Sequence, residues 1–155
     1  MDWSLTSTAF SQEAAIPQKH TADGADVSPE LSWSAPPEGT VELALICNDP
    51  DAPAGDWIHW VLYGLSPDIR TLPEAVPTSG TLPDLGGAKQ GRNDFGRIGY
   101  GGPSPPKGPT HHYHFRLYAL DAPVNLSTGA TAAELKGAME GHILGETELV
   151  GLYSR

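Results

Sequence analysis

The reading turns on VELALICNDPDAPAGDWIHWVLY, residues 41–63. Its first eight residues form the most continuous apolar run in the chain. The run is short and ends in turn chemistry, which predicts a strand buried on both faces. Asp49-Pro50-Asp51-Ala52-Pro53 follows, a stiff segment in which two prolines have no N–H to donate. Trp57 to Tyr63 is rich in aromatic and β-branched residues and predicts a second strand. Alternation puts Trp57, His59, Val61 and Tyr63 on one face and Ile58, Trp60 and Leu62 on the other.

Working outward, Trp3–Phe10 has strand-like composition and Leu31-Ser32-Trp33 reads as a short strand stopped by Pro36-Pro37. Residues 66–91 are punctuated by Pro67, Pro73, Pro77 and Pro83 and read as a long surface connection with little regular structure. The next feature is GYGGPSPPKGPTHHYHFRLYAL, residues 99–120. Here a glycine- and proline-rich loop runs into an aromatic strand, Tyr113–Leu120. Glycines permit close approach of backbone to a ligand. Along that strand His111, Tyr113, Phe115 and Leu117 share one face; His112, His114, Arg116 and Tyr118 share the other. Thr131 to about Glu140 is the one helix, with Thr131 and Glu134 spaced as a capping box and Gly141 as the stop. Glu146–Tyr153 closes as a strand. Short strands, long turns and one late helix suggest a single antiparallel β-sandwich domain.

The 155 residues are 39% hydrophobic and 18% charged, enough for one compact domain with a core. The net charge of -10 argues against nucleic acid and against anionic membrane surfaces. The single cysteine, Cys47, sits in the apolar run and reads as a small buried residue. No leader pattern opens the chain and no apolar run could span a bilayer, so a cytoplasmic protein is expected.

Several polar groups converge on one chemistry. Asp49 and Asp51 stand where the buried strand emerges, His59 follows on the next strand, and His111 and Tyr113 point the same way beyond the glycine loop. If the strands carrying His59 and His111 are neighbours, these groups line one concavity. A carboxylate beside an imidazole orients the ring and favours its charged form. With a tyrosine hydroxyl and loop N–H groups this makes a small anion site without lysine or arginine. The bland reading is that Asp49 and Asp51 only cap the turn and His59 is structural. His112 and His114 form H-x-H, but the strand supplies no carboxylate, and no metal or other cofactor is expected. Ser104 lacks the context of a nucleophile, and the glycines do not open a helix as a dinucleotide loop would.

Taken together, Ser28-Pro29-Glu30-Leu31-Ser32-Trp33, Asp49–Pro53, Trp57-Ile58-His59-Trp60, Gly99–Gly108, His111-His112-Tyr113 and the tail 141–151 resemble the phosphatidylethanolamine-binding proteins, in their bacterial and archaeal Raf-kinase-inhibitor-like branch. The resemblance covers nearly the whole chain. It implies a mainly β fold: an antiparallel sandwich of Greek-key character with one or two short helices near the C-terminus. It implies a pocket for phosphate or a phosphorylated headgroup at one end. Asp49 and His59 would form one wall, and Ser104, Pro105, His111 and Tyr113 the other, with Asp51 and Trp57 in support. It implies a cis bond at Ala52–Pro53, no cofactor, a kinase or serine protease as protein partner, and a homodimer by analogy. Should the family member be an enzyme, of epimerase or cyclase type, Asp49, His59 and His111 would carry the acid–base chemistry. One departure stands out: His112 replaces the arginine frequent in the family, so any outward ion pair of that arginine is in question. The lid helix of the animal proteins is not expected here.

Overall fold

The structure, a computed structural model, describes residues 3–155. Ten strands and one α-helix follow in the order β1 (Leu5–Thr6), β2 (Ala14–Ala15), β3 (Leu31–Trp33), β4 (Glu42–Asp49), β5 (Trp57–Leu65), β6 (Thr71–Leu72), β7 (Thr81–Leu82), β8 (Ala88–Gln90), β9 (His111–Leu120), α1 (Ala132–Met139) and β10 (Ile143–Tyr153). They build a seven-stranded sheet of order β2-β10-β9-β4-β5-β8-β7 and a three-stranded sheet of order β1-β3-β6. The large sheet is antiparallel except at one edge, where β2 runs parallel to β10. The fold is therefore mainly β, with one α-helix.

Every residue of β4 is buried, because both faces of the large sheet are covered. On one face the small sheet brings Leu5, Leu31, Trp33 and Leu72 against Leu43, Leu45, Trp60, Leu62, Phe115 and Leu117. On the other, Leu135 and Met139 of α1 pack on Ala44, Ile46, Val61, Tyr63 and Tyr118. The helix starts as its sequence dictates. The Thr131 hydroxyl accepts from the Glu134 N–H at 3.2 Å, and the Glu134 carboxylate accepts from the Thr131 N–H at 2.9 Å. The chain leaves the helix through Gly141 at φ +81°, a left-handed value that suits glycine.

Simple alternation fails on β5. Cys47 pairs with Trp60 and Asn48 with Ile58, so His59 has no partner across the ladder. This bulge puts His59 and Trp60 on the same side of the sheet. Ile58, Val61 and Tyr63 face the helix while Trp60 and Leu62 enter the inter-sheet core. The expected grouping of His59 with Val61 and Tyr63 is thereby corrected. A second irregularity lies at Gly64, φ +70°.

Other elements also depart from the sequence reading. Of Trp3–Phe10 only Leu5–Thr6 pairs as a strand. Residues 66–91 are more structured than expected: they contain β6, β7 and β8, and anchor themselves through buried Leu72, Val76, Leu82 and Ala88. The fully buried Gln90 accepts from the Trp60 indole at 2.7 Å and donates to the Pro77 and Ser79 carbonyls. Its two amide ends staple this connection to the core. Ala52–Pro53 is trans, like every peptide bond among the described residues.

Two substitutions weigh these contributions. Leu45→Ala, which empties a fully enclosed site, is expected to lower the unfolding free energy by about 3 kcal/mol. Thr131→Ala, which removes the cap of a single helix, should cost about 1 kcal/mol. Urea denaturation of the two variants checks the ranking.

Candidate functional site

The pocket lies where β4 runs out. The strands bearing His59 and His111 are not neighbours, contrary to the simplest expectation; β4 separates them. Asp49, its last residue, therefore sits between the two histidines. The carboxylate is almost wholly enclosed and accepts twice. Its Oδ2 takes the His111 Nδ1–H at 2.7 Å, and its Oδ1 takes the Asp51 backbone N–H at 2.8 Å, which sets the turn. The capping role and the histidine-orienting role are thus filled by one side chain.

His59 is fixed from the other side. Its Nδ1–H donates to the Gly101 carbonyl at 2.6 Å, and the Gly101 N–H returns a bond to the His59 carbonyl at 2.9 Å. This reciprocal pair docks the glycine loop on β5. In both rings the Nδ1 partner is an acceptor, so Nδ1 carries the proton and Nε2 remains for other chemistry. Burial holds the His59 pKa below the ordinary imidazole value, against the opposing pull of the Gly101 carbonyl and the charges of Asp49, Asp94 and Asp26. His59 is accordingly neutral at neutral pH.

Tyr113 completes the base. Its ring meets His59 edge-on, 5.1 Å between centroids, and stacks obliquely beside His111 at 6.5 Å. The hydroxyl is buried and has no hydrogen-bond partner. Burial, followed by the charge of Asp49, pushes its pKa well above the usual phenol range. It stays protonated, a donor awaiting an acceptor. Trp57 and Phe95 form an edge-to-face pair at 5.5 Å, and Phe95 also meets His59 at 5.4 Å. The resulting cavity, about 300 Å³, is lined by these groups together with Ala52, Pro53, Ala54, Ser104, Pro105 and Pro106.

Seven of the eight residues predicted for the site, Asp49, Trp57, His59, Ser104, Pro105, His111 and Tyr113, line this cavity. Asp51 does not. Its carboxylate turns outward to the His112 backbone N–H at 2.9 Å and ring Nδ1 at 2.8 Å. The His112 hydrogen bond holds Asp51 below the usual carboxylate range. His112 thus makes an outward hydrogen-bonded contact of its own at the position where the resemblance leads one to expect arginine. His114 pairs with Glu148 at 3.2 Å, also away from the cavity. Cys47 is buried, and burial raises its thiol pKa well beyond reactivity at neutral pH.

Phe95 escaped sequence reading because it lies in a turn-rich segment with no pattern. The glycines of the loop serve a different purpose from the expected one. A Cβ on Gly101 would stand 2.6 Å from the Phe95 ring, and one on Gly102 would stand 2.5 Å from the His20 carbonyl oxygen. They are needed for contact with protein rather than with a ligand. The Gly102 N–H is itself taken by Asp26 at 2.7 Å.

With this geometry in view, comparison with known proteins is decisive. A family model described as phosphatidylethanolamine-binding protein matches residues 6–154. The chain belongs to that family. A UPF0098 protein of Methanothermobacter thermautotrophicus is 50% identical over 151 residues, covering 97% of this chain and 98% of the relative. The UPF0098 protein YbhB of Escherichia coli is 38% identical, covering 90% and 92%. Two solved members share the fold. The homolog CT736 from Chlamydia trachomatis superposes with a TM-score of 0.88 at 40% identity, covering 99% of this chain and 97% of that one. E. coli YbcL superposes at 0.93 with 31% identity, covering 100% and 99%. No helix among the described residues is long and apolar enough to cross a membrane.

Two expectations follow from the burial of this family member's pocket. Tyr113→Phe removes an unsatisfied buried hydroxyl, so the ligand-free variant should be about 1 kcal/mol more stable by chemical denaturation. His59 titrates lower in the folded chain than in the unfolded one. Its neutral form therefore contributes stability above about pH 6.5, and that contribution drains away as pH falls further, because the unfolded state takes up the proton first. The stability advantage of the wild type over His59→Gln should shrink between pH 7.5 and 5.5; parallel pH profiles would contradict this.

Proposed function

We propose that this protein is a non-catalytic receptor for a small anion carrying an apolar group. The observation behind this reading is the buried Tyr113 hydroxyl, a protonated donor without a partner, in a cavity whose two histidines are both held by Nδ1. An oxyanion would take the Tyr113 O–H and the histidine Nε2 positions. The rim of Trp57, Phe95, Pro53 and Pro105 suits an aromatic or alkyl substituent. The enclosed Asp49 carboxylate opposes a highly charged ligand, and neutral His59 has a lone pair rather than a proton at Nε2. Binding therefore draws a proton into the site. Affinity should rise as pH falls through the histidine range, the opposite of the ligand-free stability trend.

Calorimetric titration with inorganic phosphate and phenyl phosphate tests this. Phenyl phosphate should bind more tightly than phosphate, with heats that depend on buffer ionisation because a proton is taken up. His111→Ala and Tyr113→Phe should each weaken binding by about tenfold, the size of a lost hydrogen bond to a charged group. Unchanged affinity in both variants would remove the pocket from the account.

A second reading, an acid–base enzyme, is favoured by one feature: His111 oriented by Asp49 at 2.7 Å beside the neutral His59. Asp49→Asn keeps the shape of the site and separates the two. A receptor keeps most of its phenyl phosphate affinity, whereas an enzyme loses the turnover found in a substrate screen. A kinase or serine-protease partner would meet the outer surface under either reading. Residues 73–75 and 77–79 are exposed around buried Leu72 and Val76, a braced loop whose effect an inhibition assay against chymotrypsin-like enzymes would measure.

A further inference from the structure

One wall of the cavity has almost no backbone support. Residues 99–110 form no strand or helix, and Pro103, Pro105, Pro106 and Pro109 have no N–H. The loop is pinned as far as residue 103: Gly101 bonds His59, Gly102 donates to Asp26, and the Pro103 carbonyl accepts from Ala22 at 2.9 Å. Beyond that point, among the described residues, every hydrogen bond to residues 104–108 comes from Arg155. Its Nη1 donates to the Pro105 carbonyl at 3.1 Å and its Nη2 to the Ser104 hydroxyl at 3.4 Å. Its backbone carbonyl accepts from the Gly108 N–H at 3.4 Å.

The guanidinium is itself held. Asp23 receives Nε at 3.0 Å and Nη2 at 2.8 Å, a two-pronged pair that also accepts the Tyr153 hydroxyl at 2.6 Å. Such a fork fixes direction as well as charge, which a lysine ammonium does not. Lys19 and Arg97 are engaged elsewhere, by Glu74 and Asp26. Ser104 and Pro105 both line the cavity, so the cation stands immediately against the pocket wall. Its charge is close enough to pull against the rise in the Tyr113 pKa.

We propose that Arg155 is a positioning residue of the anion pocket: clamped by Asp23, it fastens the Ser104–Pro106 wall and places a positive charge against it. This rests on the anion-pocket reading given above, and it adds a basic residue to a site whose titratable groups are otherwise histidine, tyrosine and aspartate. The Asp23–Arg155 pair lies about one-third exposed, so its electrostatic part should weaken with salt.

Two measurements on the full chain test the assignment: calorimetric titration with inorganic phosphate, and amide hydrogen exchange of residues 104–110. Arg155→Gln should weaken phosphate by about tenfold, as expected for lost charge-assisted bonds, and should strip protection from the Gly108 amide. Arg155→Lys keeps the charge without the fork; it should recover part of the affinity but not the Gly108 protection. Asp23→Asn should resemble Arg155→Lys in affinity and Arg155→Gln in exchange. Thermal melts confirm that each variant is folded, and a variant that is not folded is replaced by wild type titrated at rising salt, where affinity should fall. Full affinity and full protection in Arg155→Gln would overturn the proposal. If the wild type binds no phosphate, the anion-pocket reading falls, and the clamp stands or falls on exchange alone: lost Gly108 protection in Arg155→Gln supports it, and retained protection overturns it.

Discussion

Strand β4 has no exposed side. The small sheet covers one face and the helix the other, so its eight residues can place charge only at the two ends. Both ends do so. Glu42 accepts from the Val124 N–H, and burial raises its pKa. Asp49 accepts from Asp51 and His111. A carboxylate so enclosed must have its oxygens occupied, because an unpaired buried charge is far more costly than a paired one. The turn after β4 and the start of β9 are organised by that requirement, and the cavity forms in the space it leaves.

The bulge on β5 is the second constraint. Without it His59 would follow the strict alternation of the strand and its relation to Trp60 and Val61 would change. With it, His59 can reach Gly101 while Trp60 reaches Gln90, and both lie on the same side of the sheet. The two contacts tie the glycine loop and the 66–91 connection to a single strand. The site is thus assembled by three adjoining pieces: the end of β4, the irregular start of β5, and the start of β9. Its fourth wall hangs on Arg155.

The pocket stores a conflict between stability and binding. A buried hydroxyl without a partner costs the empty protein at any pH, and a histidine held neutral by burial costs it as the pH falls. On the receptor reading proposed above, an incoming oxyanion that brings a proton would relieve both. That reading would give polar groups that are unfavourable in an ordinary core a reason to persist here.

Much was legible in the residues themselves. The both-face burial of this strand followed from an uninterrupted apolar run between turns, although the run reads as 41–48 and the buried strand is 42–49, with Val41 exposed. The helix and its capping box followed from the Thr131–Glu134 spacing. The inward pair His111 and Tyr113 followed from alternation on a strand that stays regular there. These are local properties, set by period and by short-range hydrogen bonding, and the sequence determines them without knowledge of the rest. What required the tertiary structure is what depends on long-range contact. Asp51 turns outward because His112 captures it from another strand. Phe95 reaches the pocket, and Arg155 reaches the Ser104–Pro105 wall, from segments with no pattern. The glycines press against Phe95 and His20 rather than against a ligand. The bulge at His59 is invisible to alternation because it is fixed by the pairing partners of β5, and pairing is decided only when the whole sheet closes around its buried central strand.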